Sequence, residues 1–125
     1  MTMNLPLEEQ SIIRVCFDSA VTILTGGGHQ VSLEAEIELL TPGNGAVVLE
    51  PDSPGPAALH IIRLVGDTMS TARTEGDGSL RIVFESGVEL TAPPDTHYES
   101  WSVVGPSGGR AVCMPGGEIA VWDGL

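Results

Sequence analysis

The chain has 125 residues, 42% of them hydrophobic and 18% charged, so it can bury a core without metal ions or disulfide bonds. A net charge of −12 repels phosphate backbones and anionic lipids, which disfavours nucleic acid and membrane surfaces as partners. The two cysteines and three histidines have no CxxC or paired-ligand spacing, so no disulfide framework, metal site or other cofactor is predicted.

The start of the chain, MTMNLPLEEQSI, lacks the basic and continuous apolar regions of a secretory signal. No apolar stretch approaches the roughly 20 residues that a membrane-spanning helix needs. These features predict a cytoplasmic protein.

The first half of the chain predicts an antiparallel β-meander. Its runs of β-branched and apolar residues cover 11–17, 21–25, 30–40 and 46–49. The sequences Gly26-Gly27-Gly28 and Gly43-Asn44-Gly45 separate these runs and supply the positive φ angles that tight hairpins require.

Residues 52–66 predict a linker with one helix. Pro56 suits the first helical turn, and Gly66 can end the helix in a left-handed conformation. Leu59, Ile62 and either Ile61 or Val65 form the expected apolar stripe against the sheet. The alternative is that residues 61–65 begin a strand.

The second half predicts a similar series of strands and turns. The predicted strands cover 68–74, 79–85, 88–92, 100–104, 110–114 and 118–122. Asp77-Gly78, Ser86-Gly87 and Ser107-Gly108-Gly109 provide turns between them.

The two halves also align with each other, which predicts an internal duplication with repeats at 5–51 and 62–122. Residues 37–51 fall without a gap on 101–115, whereas the second copy lacks a counterpart of His29-Gln30 and carries extra residues around 92–98. The predicted fold is therefore a mainly β (α+β) single domain. Two antiparallel meanders form a barrel or a sandwich, and the linker helix packs on the sheet.

No arrangement typical of a catalytic site is found, so an enzymatic activity is not predicted. The aromatic side chains that favour contacts with a partner cluster late in the chain, in a protein with only 4% aromatic residues. The candidate binding residues are His97, Tyr98, Glu99, Trp101, Glu118 and Trp122. The alternative for Trp101, which aligns with Ile37, is a place in the core.

The second half resembles a family of small uncharacterised bacterial proteins that are common in actinomycetes. The resemblance lies in a Tyr-Glu-x-Trp pattern at 98–101 and a Cys-x-Pro-Gly-Gly-Glu-x-x-x-Trp pattern at 113–122. It implies a self-contained cytoplasmic domain and transfers no activity.

Three functions remain open at this point. The first is a non-enzymatic module, similar to an inhibitor or immunity protein, that binds a basic partner protein. The second is a small-molecule site or an undetected enzyme, with a pocket near Tyr98, Glu99 and Trp101. The third is a structural homo-oligomer that pairs through strand edges.

Overall fold

The computed structural model describes residues 2–125 and shows two six-stranded antiparallel sheets with one short helix. In chain order the strands are β1 (Met3–Asn4), β2 (Ile12–Asp18), β3 (Ala20–Thr25), β4 (Gln30–Leu33), β5 (Ile37–Thr41), β6 (Gly45–Leu49), β7 (Met69–Thr74), β8 (Leu80–Phe84), β9 (Glu89–Ala92), β10 (Trp101–Val104), β11 (Arg110–Cys113) and β12 (Ile119–Trp122). Sheet 1 has the order β1-β7-β8-β9-β5-β6, and sheet 2 has the order β12-β11-β10-β4-β3-β2. The predicted mainly β fold is confirmed. It is the sandwich rather than the barrel, because neither sheet closes on itself.

Each half of the chain contributes to both sheets. The meander β2-β3-β4 lies in sheet 2 and is followed by the hairpin β5-β6 in sheet 1, whereas β7-β8-β9 lies in sheet 1 and is followed by β10-β11-β12 in sheet 2. The predicted run 30–40 is therefore broken where the chain crosses between sheets. In consequence β4 pairs with β10 and β5 pairs with β9. The halves share one strand order, and their origin by duplication stays a prediction.

The turns after β3 and β8 have the same hydrogen-bond pattern. The backbone N–H of Thr25 donates to the carbonyl of His29 at 2.9 Å, and that of Phe84 donates to the carbonyl of Val88 at 2.9 Å. His29 therefore occupies the turn position that Val88 occupies in the second half. The predicted gap at His29-Gln30 is wrong, because the two turns have equal length and only the side chains differ.

The hairpin turns of the two halves also contact each other. A Cβ placed on Gly28, which has a φ of +86°, would lie 3.1 Å from Cβ of Pro106. A Cβ placed on Gly87, which has a φ of +93°, would lie 3.0 Å from Cγ of Pro42. Glycine therefore permits both the positive φ and the close approach of a proline from the other half.

The predicted linker helix is present but short. A 3-10 turn at Gly55–Ala57 leads into the helix α1 at Ala58–Ile62, and Gly66 has the expected positive φ of +89°. The carbonyl of Ile12 in β2 accepts a 2.8 Å hydrogen bond from the backbone N–H of Gly66, which fixes the end of the linker on sheet 2. Within residues 2–125 the structure has no helix that is both long and apolar enough to cross a bilayer.

The predicted apolar stripe of the helix is wrong in most of its members. Leu59, Ile62 and Val65 are 47–49% exposed, whereas Ile61 and Leu64 are buried. Because α1 has little more than one turn, only one pair of side chains three residues apart, Ile61 and Leu64, packs against the sheet. The other face of the helix is left in solvent.

The core between the sheets contains side chains from both halves. Its largest members include Ile23 and Leu33 from the first half and Phe84, Leu80 and Trp101 from the second. Their strands alternate between buried and less buried residues, as a sandwich with one solvated face per sheet requires. The apolar interior is therefore shared between the halves.

Candidate functional site

The loop between β9 and β10 carries the predicted contact residues His97, Tyr98 and Glu99. One side-chain oxygen of Asp95, Oδ1, accepts hydrogen bonds from the backbone N–H groups of His97 and Tyr98 at 2.8 and 3.0 Å. The backbone carbonyl of Asp95 accepts a 2.8 Å hydrogen bond from Gly116, which holds the loop against the β11–β12 turn. The Tyr98 side chain is 72% exposed and points into solvent on this ordered loop.

The structure separates the other exposed candidates. Glu118 is exposed in the β11–β12 turn, next to the loop of Tyr98. Trp122 is 48% exposed at the opposite end of β12, where the Arg110 guanidinium lies 5.9 Å from the centre of the indole ring. Glu118 therefore lies beside the loop candidates, and Trp122 lies apart from them.

Trp101 does not belong to an exposed surface. Its side chain is fully buried, and its indole Nε1 donates a 3.0 Å hydrogen bond to the carbonyl of Gly78. The prediction of a contact residue is corrected in favour of the core alternative. The reason is that Trp101 begins β10 with its side chain on the inner face of sheet 2.

The residues of the Cys-x-Pro-Gly-Gly-Glu pattern build a contact between two turns. A Cβ on Gly78 would overlap the backbone of Gly117, and a Cβ on Gly117 would overlap the carbonyl of Asp77. The thiol of Cys113 donates to the same Gly78 carbonyl that binds Trp101, at 3.3 Å. Burial raises the pKa of this thiol, so Cys113 is held as an unreactive neutral group. The pattern therefore supports the fold at this end of the sandwich.

Beside this contact an open cleft lies between the edge strands β1 and β12, which we name the edge cleft. It has a volume of about 370 Å³. Its lining residues come from β1, the β7–β8 turn and β12, and they are Met3, Thr74, Glu75, Gly76, Gly78, Gly117, Ile119 and Val121. The cleft exists because β1 has only two residues and leaves the inner side chains of β12 partly uncovered.

The edge cleft combines an apolar wall with negative charge. Ile119 and Val121 form the wall on β12, and Val121 remains 48% exposed. Glu75 contributes a carboxylate that is also 3.3 Å from Nε of Arg73. In the same turn, hydrogen bonds from Ser79 lower the pKa of Asp77, so this exposed group is ionised at neutral pH. The site suits an apolar group that carries a cation beside it.

None of the six predicted contact residues lines the edge cleft. The cleft residues that sequence reasoning missed come from both ends of the chain and from the β7–β8 turn. The pairing of β1 with β7 and the contact of Gly78 with Gly117 bring them together. The available signal was the run Ile119 to Trp122, which is apolar on both faces of the predicted strand 118–122.

A second group that the sequence did not indicate is the buried His29. Its Nδ1 lies 3.2 Å from Nε2 of Gln10, and Oε1 of the same Gln10 accepts a hydrogen bond from the hydroxyl of Thr25. The other ring nitrogen, Nε2, has no hydrogen-bond partner among residues 2–125 and lies beside Gly105. Burial lowers the pKa of His29, because the charged imidazolium would lose its water.

We expect His29 to make stability depend on pH. Above the ordinary histidine pKa of 6.5, the imidazole is neutral in both the folded and the unfolded protein. As the pH falls below 6.5, the unfolded chain takes up the proton first, so the free energy of unfolding decreases. Substituting His29→Val, the residue at the matching turn position, should remove this decrease. Urea unfolding of both proteins across this pH range measures the difference between them.

The exposed His97→Ala variant serves as the control, and it should keep the pH dependence of the parent protein. Equal slopes for the parent and the His29→Val variant would contradict the prediction.

The model of a family of unknown function, DUF6188, matches residues 3–123. The chain belongs to the DUF6188 family. No curated protein and no solved structure matched it. Membership of DUF6188 therefore assigns no activity to the chain. The features that bear on its function are those of its own surface.

Proposed function

We propose that this domain is a non-enzymatic module that binds a basic segment of a partner protein at the edge cleft. The segment adds as a further strand to the free edge of β12 and places an apolar side chain in the cleft. The observation that carries this proposal is the half-exposed inner face of an edge strand, beside carboxylates, in a chain with a net charge of −12.

The backbone of β12 supports strand addition. One edge of β12 pairs with β11 at Arg110 to Cys113, and within residues 2–125 no strand pairs with its other edge. An unpaired edge offers a row of N–H and C=O groups to an extended peptide, and pockets for alternate side chains then give specificity. Ile119 and Val121 supply those alternate positions, since both face the cleft.

The charge of the protein supports a basic segment. Glu75 lines the cleft, and Asp77 is ionised in the adjoining turn. A lysine or arginine two residues away from the apolar side chain lies on the same face of the added strand and would meet these carboxylates. The overall field would steer a basic partner toward the protein. The exposed loop of Tyr98 and Glu99 continues the same surface, because Gly116 and Gly117 of one turn touch the loop and the cleft.

The direct test measures binding of a synthetic peptide of about eight residues in which valine and lysine alternate at every second position, with threonine at the positions between them. Fluorescence anisotropy of the labelled peptide should show saturable binding that weakens as salt is added. A Val121→Lys variant should bind at least about tenfold more weakly, because it fills the cleft and repels the peptide.

The matched control is Val48→Lys, which changes the charge equally at an exposed valine on β6, an edge strand of the other sheet. It should bind like the parent protein. Equal binding of the same peptide with glutamate in place of lysine, or unchanged binding by Val121→Lys, would overturn the proposal.

A small-molecule site is the second candidate function, favoured by the cleft volume of about 370 Å³, which lies within the range of ligand pockets. A thermal-shift screen of metabolites separates the two, since a ligand that binds the folded protein raises its melting temperature, and the stabilisation grows with the logarithm of the ligand concentration divided by the dissociation constant. A cytoplasmic setting stays part of the proposal, supported by the two cysteines, Cys16 and Cys113, which are both free. A bacterial setting, which the resemblance of the second half implies, also stays part of it.

A further inference from the structure

The solvent face of sheet 2 is organised in rows that cross all six strands. Side chains at matching register positions form the first row, and two of its members are arginines. We name it the basic row, and it consists of Trp122, Arg110, Val104, Gln30, Leu24 and Arg14. In a chain with five Lys and Arg residues, two of them lie in this one row, which contains no carboxylate.

The next row along the strands contains no charged residue. We name it the neutral row, and it consists of Ala120, Val112, Ser102, Ser32, Thr22 and Cys16. Ser102 and Ser32 lie directly opposite each other on the central strands β10 and β4. The side chains are small, and all are half-buried except Val112, which is buried.

In the third row, two residues further along the strands, the charged side chains are carboxylates. Asp18 ends β2, Glu34 follows β4 with its backbone N–H bonded to the carbonyl of Ser100, and Glu118 precedes β12. We name these three carboxylates the acidic row. Along the strand direction, the face therefore carries the basic row, the neutral row and the acidic row, in that order.

The solvent face of sheet 1 differs, although its strand order is the same. There Arg81 pairs with Glu89, and Glu38 lies on β5 at the position that corresponds to Ser102 on β10. Charges on that face are interspersed and partly neutralised within the sheet. The neutral row of sheet 2 is thus not a requirement of the fold.

We propose that sheet 2 docks face to face with sheet 2 of a second copy of this chain. A two-fold axis along the neutral row places the basic row of each copy over the acidic row of the other, so that Arg14 meets Asp18 across the axis. Two copies that each carry a charge of −12 repel at other surfaces, and here the charges are complementary.

The size of the face fits a weak dimer. Six strands and three rows span about 29 Å by about 20 Å, or roughly 600 Å², from ordinary strand spacing. A standard interface buries about 800 Å² on each partner, so this one lies near the lower end of stable complexes. The dissociation constant is accordingly expected on the micromolar scale.

Sedimentation velocity over a range of protein concentrations tests the proposal. The parent protein should shift from the 13.0 kDa monomer to a species of twice that mass. Ser102→Glu should stay monomeric, because it places a carboxylate in each copy near the axis. The fold should tolerate this change, since the corresponding position in sheet 1 already holds Glu38.

Glu38→Ser is the matched control on the other face and should dimerise like the parent. Arg14→Glu, which reverses the charge of an exposed side chain, is a second variant that should remain monomeric while its circular dichroism stays unchanged. A parent protein that stays monomeric up to about 1 mM, or a Ser102→Glu variant that still dimerises, overturns the proposal.

Discussion

Gly117→Ala is expected to destabilise the protein by at least about 3 kcal/mol, because the new Cβ meets two obstacles at once. Gly117 has a φ of +102°, where side chains are strained, and its Cβ would overlap the carbonyl of Asp77. Neither atom can move away easily, since both belong to backbone turns that are packed on each other. Urea unfolding followed by circular dichroism measures the loss.

The neighbouring Gly116→Ala is the control for this prediction. Gly116 has a φ of +88°, but apart from its chain neighbours no atom of residues 2–125 lies within 4 Å of its added Cβ. It should therefore cost only the strain of the left-handed backbone, about 1–2 kcal/mol. The difference between the two variants isolates the contact between the turns, and equal losses would show that this contact contributes nothing.

Trp101→Phe is expected to cost about 2–3 kcal/mol, since it leaves a cavity in the core and removes the donor to the Gly78 carbonyl. The half-exposed Trp122→Phe is the control and should change stability by less than about 1 kcal/mol. Each variant keeps a single tryptophan, so its fluorescence reports one environment. Emission from Trp101 should be shifted to the blue of that from Trp122, and the opposite order would contradict the assigned burial.

These predictions concern residues whose role the sequence indicated only in part. The pattern around Cys113 and Gly117 marked the segment as distinctive, but a one-dimensional reading could not show that Gly117 faces Gly78. Contact between two turns depends on how the sheets stack. From the sequence alone, the pattern was therefore compatible with a binding surface. The burial of Trp101 and Cys113 shows that these two residues belong to the core.

Strand positions and turns followed from the sequence because their causes are local. Alternating apolar residues at 79–85 and glycines such as Gly28 and Gly66 act through the backbone of neighbouring residues, and the structure has strands and positive φ angles at these places. The helix was located for the same reason, but α1 ends at Ile62 with Arg63 as its cap, and the positive φ of Gly66 ends the turn that follows. Its buried face was not, because that depends on where β2 holds the linker.

Only the tertiary structure determined which strands each half contributes to each sheet. That arrangement in turn determined the functional surfaces. The edge cleft depends on β1 being too short to cover β12, and the three rows of sheet 2 depend on the register of six strands from both halves. The same holds for His29, whose turn position in the other half is filled by Val88. Burial, register and facing partners are set by contacts between residues far apart in the chain, whereas the sequence by itself determined the strands, the turns and the strong negative charge.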